Sequence, residues 1–277
     1  MRGGPARRSR FVSTQNSFHG RSLGALRLIG TPKHRDPYAA LLPEGCVVPF
    51  DDLDAARAAV TDEVAAFVVE PVQGEGGVNV PTDGYLAGLR EICDAAGALL
   101  VFDEIQTGVG RCGTPLGYQH EDVVPDVATL GKGLGGGFPV AAFLCTDAVA
   151  ETVSIGDHGT TYGGNPLAAA AANAVLRVVA EEKLDRRAAE LGVRLQAHLR
   201  DFQTRHTDLV ETVRGRGLLQ ALVLRDAELA GSLPLRALEA GVVVNVTAGR
   251  VVRFFPALNV PEDDLFEGVD RVLGLIG

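Results

Sequence analysis

An acidic residue and a lysine, each placed where an apolar run ends, are the residues of this 277-residue chain best suited to chemistry. Asp103 follows the apolar run 98–102, and Lys132 follows the run 127–130 within a stretch rich in glycine. Open α/β folds bind their ligands at the carboxyl ends of parallel strands. A carboxylate and a lysine presented from neighbouring strand ends suit pyridoxal phosphate. A lysine forms a Schiff base with this cofactor, and an acid partners its pyridine nitrogen.

Each of the two segments also has an ordinary structural explanation. Asp103 and Glu104 are suitable caps for a strand end, and Lys132 is suitable for a solvated loop. Short motifs match by chance, so either segment alone favours the ordinary explanation. The two segments together, with the residues that flank them, favour a cofactor site.

The apolar pattern predicts the elements that hold these residues. Apolar runs alternate with helix-period segments, which is typical of an α/β fold with a mostly parallel sheet. Strands are predicted at 64–69, 98–102, 127–130 and 141–145, with a helix at 83–96. Loops that follow such strands are where sites are built.

Beyond Pro166 the pattern changes to that of a second, smaller α+β domain. Long helices are predicted at 167–182 and 184–206, and a last helix begins at Pro261. Strands are predicted at 209–213, 218–224, 242–246 and 251–255. We therefore divide the chain into a large domain, residues 1–174, and a small C-terminal domain, residues 175–277.

Composition limits the classes of partner. The net charge of −9 argues against a nucleic-acid or anionic-membrane partner. The four cysteines lack disulfide or metal-ligand spacing, so no metal site is predicted. No apolar stretch approaches the roughly 20 residues that span a bilayer. These observations favour a cytoplasmic protein without a membrane segment.

Several segments of the chain together resemble a known family. They lie, in order, at 18–21 (Phe-His-Gly-Arg), 70–77, 102–111, 131–137, 158–166 and 252–256. They resemble the class-III aminotransferases of pyridoxal-phosphate fold type I, most of all the acetylornithine and ornithine aminotransferase branch. The resemblance covers residues 11–277. It implies a fold type I large domain with a mostly parallel sheet, a smaller C-terminal domain, and pyridoxal 5′-phosphate as the cofactor.

The resemblance also implies roles around the cofactor. Lys132 is expected to form the Schiff base and to act as the general base, while Asp103 keeps the pyridine nitrogen protonated. Gln106 is expected to hydrogen-bond the O3′ atom of the ring, and Phe18 to stack on its face. Thr161 is expected to donate to the cofactor phosphate in the partner subunit's site, which implies a homodimer.

Three further residues are expected to bind substrate. Arg21 is expected to clamp the α-carboxylate, for which a guanidinium is well suited. The resemblance implies that Glu75 and Arg253 form a switchable ion pair. When paired, they admit an amine-bearing side chain; when parted, Arg253 binds the distal carboxylate of glutamate or 2-oxoglutarate. A surface position for Arg21 and a permanent Glu75–Arg253 salt bridge between domains are the ordinary alternatives.

The expected function is transfer of the ω-amino group of N-acetylornithine to 2-oxoglutarate, which gives the semialdehyde and glutamate in arginine biosynthesis, with lysine biosynthesis as a further setting. Ornithine, 4-aminobutyrate or acyl-lysine are the alternative donors. The alternative of another class is an inactive, truncated protein of this fold. Family members carry roughly a hundred further residues upstream of Phe18, including a phosphate-cradling loop at a helix N-terminus. Residues 1–17 do not resemble that segment, so we expect the chain to lack it.

Overall fold

Six short strands rich in β-branched residues form the sheet that positions the predicted site. The computed structural model describes residues 8–277. The strands are β1 (Arg10–Thr14), β2 (Gly45–Val48), β3 (Val64–Val69), β4 (Leu99–Asp103), β5 (Val127–Leu130) and β6 (Ala142–Cys145). Their order is β2-β1-β3-β4-β5-β6, and every pairing is parallel except that of β5 with β6. Strand β3 is buried along its whole length, as expected of a strand inside a parallel sheet.

This sheet belongs to the first of two units. The first unit comprises the described residues up to Pro71 together with Pro81–Val109 and Tyr118–Val178. The second unit comprises Val72–Val80, Gly110–Gly117 and Val179–Gly277. The boundary predicted between residues 174 and 175 stays a prediction.

The first unit also contains helices, and two of them pack against the sheet. They are α1 (Leu23–Arg27), α2 (Pro32–Arg35), α3 (Leu53–Ala59), α4 (Tyr85–Ala96), α5 (Asp147–Ala150) and most of α6 (Pro166–Glu181). Short 3-10 turns lie at Asp36–Leu41, Gly117–His120 and Lys132–Gly135. The two that pack against the sheet are α3 and α4. The apolar face of α4, with Leu86 and Leu89, packs into the core. Its partners there include Phe67 of β3 and Leu100 and Phe102 of β4.

The second unit is built on an antiparallel sheet. Its strands are β7 (Val210–Arg216), β8 (Leu219–Leu224), β9 (Asn245–Thr247) and β10 (Val251–Phe254), in the order β7-β8-β10-β9. Its helices are α7 (Leu184–Arg205), α8 (Ala227–Glu239) and α9 (Glu262–Leu273). Apolar residues of all three helices and of β7, β8 and β10 share one core.

The predicted fold class, α/β with a mostly parallel sheet and a smaller α+β part, is confirmed. The strands predicted at 64–69 and 127–130 have the observed bounds. The strand predicted at 242–246 is wrong in its first half, since strand β9 is Asn245–Thr247. Val242 and Val244 are apolar because they pack against the core of the second unit, not because they extend a strand.

A membrane-spanning helix and a metal site each have structural requirements that the described residues do not meet. Within residues 8–277, no helix is both long and apolar enough to cross a membrane. Over the same residues, no group of three or more histidine, cysteine or acidic side chains is arranged to hold a metal ion.

A close approach between helix α7 and the turn that joins β7 to β8 gives a test of the packing of the second unit. A Cβ built on Gly192, in α7, would lie 2.2 Å from the carbonyl oxygen of Gly217. Replacing a helical glycine by alanine ordinarily stabilises a helix by about 1 kcal/mol. Here the overlap with backbone dominates, so we expect Gly192→Ala to lower the free energy of unfolding by about 2 kcal/mol, measured by urea denaturation.

The matched control is Gly231→Ala in α8, where nothing lies within 4 Å of the added Cβ. We expect that variant to be as stable as the wild type or up to about 1 kcal/mol more stable. A Gly192→Ala protein at least as stable as the wild type would contradict the close approach.

Candidate active site

The carboxylate of Asp103 is the centre of the candidate site. Asp103 is the last residue of β4 and pairs in register with Thr129 of β5. The Thr129 hydroxyl donates to Asp103 Oδ1 at 3.2 Å, and the backbone N–H of Ile105 donates to the same oxygen at 3.1 Å. The parallel sheet thus holds the acid at its carboxyl edge by donors from two neighbouring strand exits.

The other carboxylate oxygen of Asp103 is bound by a histidine. His19 Nδ1 lies 2.7 Å from Asp103 Oδ2, and the two side chains are only 3% and 8% exposed. An ionised carboxylate only accepts hydrogen bonds, so Nδ1–H is the donor. His19 follows β1, and β1 is separated from β4 in the sheet by β3.

The partners of the two buried side chains oppose the effect of burial on both pKa values. Burial alone would lower the pKa of His19, but the hydrogen bond with Asp103 and the charges of Glu70 and Asp103 raise it above 6.5. Burial alone would raise the pKa of Asp103, but His19, Ile105 and Thr129 lower it below 3.8. Asp103 therefore stays an anion throughout the neutral range.

His19 was not among the predicted site residues. It stands inside the Phe-His-Gly-Arg segment, and that position was the only signal of its importance. Its partner is 84 positions away along the chain, so the contact follows from strand order and not from local spacing.

Lys132 leaves the sheet at the same edge as Asp103. It lies three residues beyond Thr129, at the start of the 3-10 turn Lys132–Gly135, and it is exposed. Its φ of +42° is in the left-handed region, which costs a residue other than glycine roughly 1 kcal/mol or more. Strained residues of this kind cluster at functional sites. Gln106, half-buried, also leaves this edge, three residues beyond Asp103.

The residues at this edge fit the predicted cofactor. A carboxylate held ionised by His19 suits a protonated pyridine nitrogen, which needs a permanent anion. An exposed lysine next to that strand end suits a bond to an aldehyde carbon. The geometry therefore agrees with pyridoxal phosphate as the group bound there.

Two more predicted residues, Phe18 and Arg21, lie close to His19 in the sequence, in the segment after β1. The backbone N–H of Phe18 donates to a carboxylate oxygen of Glu70 at 3.4 Å. The guanidinium carbon of Arg21 is 5.5 Å from the centroid of the Phe18 ring, and Arg21 is exposed. The stacking role of Phe18 and the carboxylate-clamping role of Arg21 stay predictions.

Thr161 is exposed in the loop between α5 and α6. Its hydroxyl has no hydrogen-bond partner within the described residues. Its predicted role in the site of a partner subunit stays a prediction.

The second unit contains the other predicted pair. Arg253 Nη1 donates to Glu75 Oε1 at 2.8 Å, and Arg253 Nη2 donates to Asn245 Oδ1 at 2.8 Å. Arg253 lies in β10 directly opposite Asn245 of β9. The Arg253 side chain is 12% exposed and that of Glu75 is 39% exposed, so solvent reaches the pair from the glutamate side.

Solved structures that are similar to this chain include aminotransferases. An ornithine aminotransferase from Toxoplasma gondii superposes with a TM-score of 0.93 at 35% identity, over 98% of this chain and 65% of that chain. An acetylornithine aminotransferase from Elizabethkingia anophelis superposes with a TM-score of 0.85 at 35% identity, over 100% of this chain and 69% of that chain. The fold is that of the pyridoxal-phosphate aminotransferases of fold type I.

The sequence places the chain more narrowly. The model of the class-III aminotransferases matches residues 1–275, and the chain belongs to that family. A curated acetylornithine aminotransferase from Mycobacterium leprae is 44% identical over 269 residues, which are 97% of this chain and 66% of that protein. Another, from Methanopyrus kandleri, is 45% identical over 93% of this chain and 65% of that protein. The chain thus spans just under two thirds of the length of these relatives.

The buried pair gives a prediction with a defined pH dependence. His19→Leu removes the donor to Asp103, and we expect the free energy of unfolding to fall by about 3 kcal/mol. The folded pKa of His19 is raised, so its contribution is complete below 6.5 and is lost as pH rises through the folded pKa. The folded pKa of Asp103 is lowered, so its contribution is complete above 3.8 and is lost as pH falls through the folded pKa. The difference from the wild type should be largest between these two values, as measured by denaturant unfolding across the pH range.

The control is His198→Leu. His198 Nε2 pairs with Asp270 at 2.6 Å, but these side chains are far more exposed, and leucine keeps an apolar contact with Phe266. We expect a loss below about 1 kcal/mol. An equal, pH-independent loss in both variants would contradict a special role for the His19–Asp103 pair.

Proposed function

We propose that this chain carries the catalytic residues of an aminotransferase that moves the ω-amino group of N-acetylornithine to 2-oxoglutarate. The products are the semialdehyde and glutamate. The observation that carries the proposal is the Glu75–Arg253 ion pair, since a site that serves both an amine and a dicarboxylate needs a cation that can be covered. Acetylornithine aminotransferases 44% and 45% identical to this chain support the choice of donor.

The proposed cofactor site uses the carboxyl edge of the parallel sheet. When bound there, pyridoxal phosphate would supply an electron-withdrawing ring that stabilises negative charge at the substrate carbon that bears the reacting amine. Asp103 would provide a negative charge for the pyridine nitrogen, and Gln106 would donate to the O3′ atom. Phe18 would pack on the ring face. Lys132 would bind the cofactor aldehyde and move the proton to and from that substrate carbon, as a general base must.

The proposed substrate site alternates between two charge states. With Arg253 paired to Glu75, an uncharged or amine-bearing side chain is admitted. When a dicarboxylate binds, one of its carboxylates takes the place of Glu75 on the guanidinium. The number of ion pairs is conserved in this exchange, so no charge is left buried and unpaired. Glu75 turns into solvent, which its exposure allows. Arg21 holds the α-carboxylate of the ω-amine donor, which lies far from the reacting amine.

Ornithine is the second candidate donor, because the T. gondii ornithine aminotransferase superposes with a TM-score of 0.93. The two donors differ at the α-amino group, which is charged in ornithine and acylated in N-acetylornithine. We further propose that the protein acts in the cytoplasm in arginine biosynthesis as a homodimer. The exposed Thr161 hydroxyl, which lacks a partner in the described residues, is available to a second subunit.

The direct test is visible absorption of the full chain with pyridoxal phosphate, before and after L-glutamate is added. We expect a yellow protein whose colour bleaches as the amino group is transferred. Lys132→Ala should fold but show neither the colour nor the bleaching, because no other group replaces its amine. Transfer by the Lys132→Ala variant, or a wild-type chain that never colours, would contradict the proposed function and favour an inactive protein of this fold.

Arg253→Gln tests the alternation. A hydrogen bond to a charged group contributes about 1.5–3 kcal/mol. The variant should therefore raise the KM for 2-oxoglutarate by about 10- to 100-fold and change the half-reaction with the ω-amine much less. Arg250→Gln is the control, since Arg250 lies three positions earlier and pairs with Glu211 at a more exposed position. Equal losses in both half-reactions would contradict the exchange.

A further inference from the structure

Arg111 is a buried cation that none of the proposed roles uses. It belongs to the second unit, and only 9% of its surface is exposed. Its Nη1 donates to the carbonyl oxygens of Leu218 at 3.0 Å and Pro256 at 2.7 Å. Its own carbonyl oxygen accepts the N–H of Leu218 at 3.0 Å.

The two carbonyls need this donor because a proline ends the strand ladder. Strands β8 and β10 pair Arg253 with Ala221 and Phe254 with Gln220. Continuing this register by two residues places Pro256 opposite Leu218. Proline has no N–H, so the ladder cannot go on in its ordinary form. Arg111 bonds both opposing carbonyls instead and ties the two strand ends together, three positions from Arg253.

Arg111 is also coupled to Arg253 through an aromatic ring. The guanidinium carbon of Arg111 lies 3.9 Å from the centroid of the Phe255 ring, and that of Arg253 lies 5.8 Å from the same centroid. A guanidinium over an aromatic face is held by the ring quadrupole and by stacking. Phe255 is 42% exposed, and its ring is the group that both guanidinium groups contact.

The charge of Arg111 is not paired with that of an acid in the described residues. No carboxylate lies within ion-pair distance of its guanidinium in residues 8–277. Burial lowers the pKa of Arg111 to about 10, which still leaves it a cation at neutral pH. A buried cation without a carboxylate is unfavourable unless other groups compensate for its lost hydration. Here those groups are the two carbonyls and the Phe255 ring.

We propose that Arg111 is a positioning residue that holds the Phe255 ring and the end of β10, and through them the Arg253 guanidinium, in place for a carboxylate of a five-carbon dicarboxylate. This inference rests on the proposed function of Arg253. A lysine at this position keeps the charge but loses the planar fork that bonds two carbonyls and stacks on a ring at once.

Two ligands that do not react separate positioning from stability. Glutarate and pentanoate differ only in the second carboxylate. Their dissociation constants are measured by NMR titration of the full chain, with pyridoxal phosphate in every sample and unfolding curves for every variant. We expect Arg111→Lys to weaken glutarate binding by about tenfold and pentanoate binding by less than about twofold. A purely structural role would weaken both equally.

Arg187→Lys is the matched control. Arg187 also donates to two backbone carbonyls in the loop after β10, those of Leu258 and Val260, but further along the chain from Arg253. We expect it to change the preference for glutarate by less than about twofold. Phe255→Leu is the second variant, because it removes the shared ring and leaves both Arg111 hydrogen bonds in place. It should also lower the preference for glutarate.

Arg253→Gln separates the positioning role of Arg111 from the existence of a carboxylate site at Arg253. If it abolishes the preference for glutarate while Arg111→Lys and Phe255→Leu leave that preference intact, the positioning role of Arg111 is wrong and the carboxylate site stands. If the wild type shows no preference, or Arg253→Gln keeps it, the carboxylate site itself is wrong and the inference falls with it. A glutarate preference that falls equally in Arg111→Lys and Arg187→Lys also overturns the inference.

Discussion

The buried hydrogen bond between His19 and Asp103 is the interaction on which the first unit's site depends. An ionised carboxylate that is mostly buried is unfavourable unless a cation and further donors surround it. His19, Thr129 and Ile105 provide them from three different places in the sheet. The pair therefore forms only when β1, β3, β4 and β5 are in register. Asp103 is already an anion in the unfolded chain at neutral pH, and these partners keep it ionised when the sheet buries it. An acid ionised in this way keeps its charge over the whole neutral range.

The second unit uses an ion pair of a different kind. Glu75 and Arg253 are joined by a bond of similar length, but the glutamate is more than a third exposed. A pair that solvent reaches from one side gains little from its own Coulomb attraction and loses little when a ligand carboxylate replaces one partner. The contrast in burial thus matches the contrast in proposed roles. In the proposed roles, the acid assigned to the cofactor keeps its charge, whereas the arginine assigned to the substrate changes its partner.

The sequence alone predicts elements whose signal is local. Strands β3, β4 and β5 are short apolar runs, with Asp103 at the end of β4 and Lys132 just past the end of β5. What it does not predict depends on contacts far apart in the chain. His19 and Arg111 acquire their importance from residues 84 and more than a hundred positions away. Helix α8 was not predicted, because Gly231, Ser232 and the interior Pro234 interrupt its pattern, and the buried Ala230, Leu233 and Ala237 stabilise it only through the tertiary core.

Buried backbone groups at the end of a strand need new hydrogen-bond partners, and charged side chains provide them at several places in this chain. Where a ladder stops, backbone polar groups lose their partners, and when buried they must find others. Asp103 accepts the N–H of Ile105 just past β4, and Glu104 accepts the N–H of Tyr118 and the hydroxyl of Thr107. Arg111 does the reverse at β10, where it donates to two carbonyls. Charged side chains suit these positions because one carboxylate can accept several hydrogen bonds and one guanidinium can donate several. The same charges then set the electrostatics of the strand end, so the residues that finish the fold there also determine which ligand it binds.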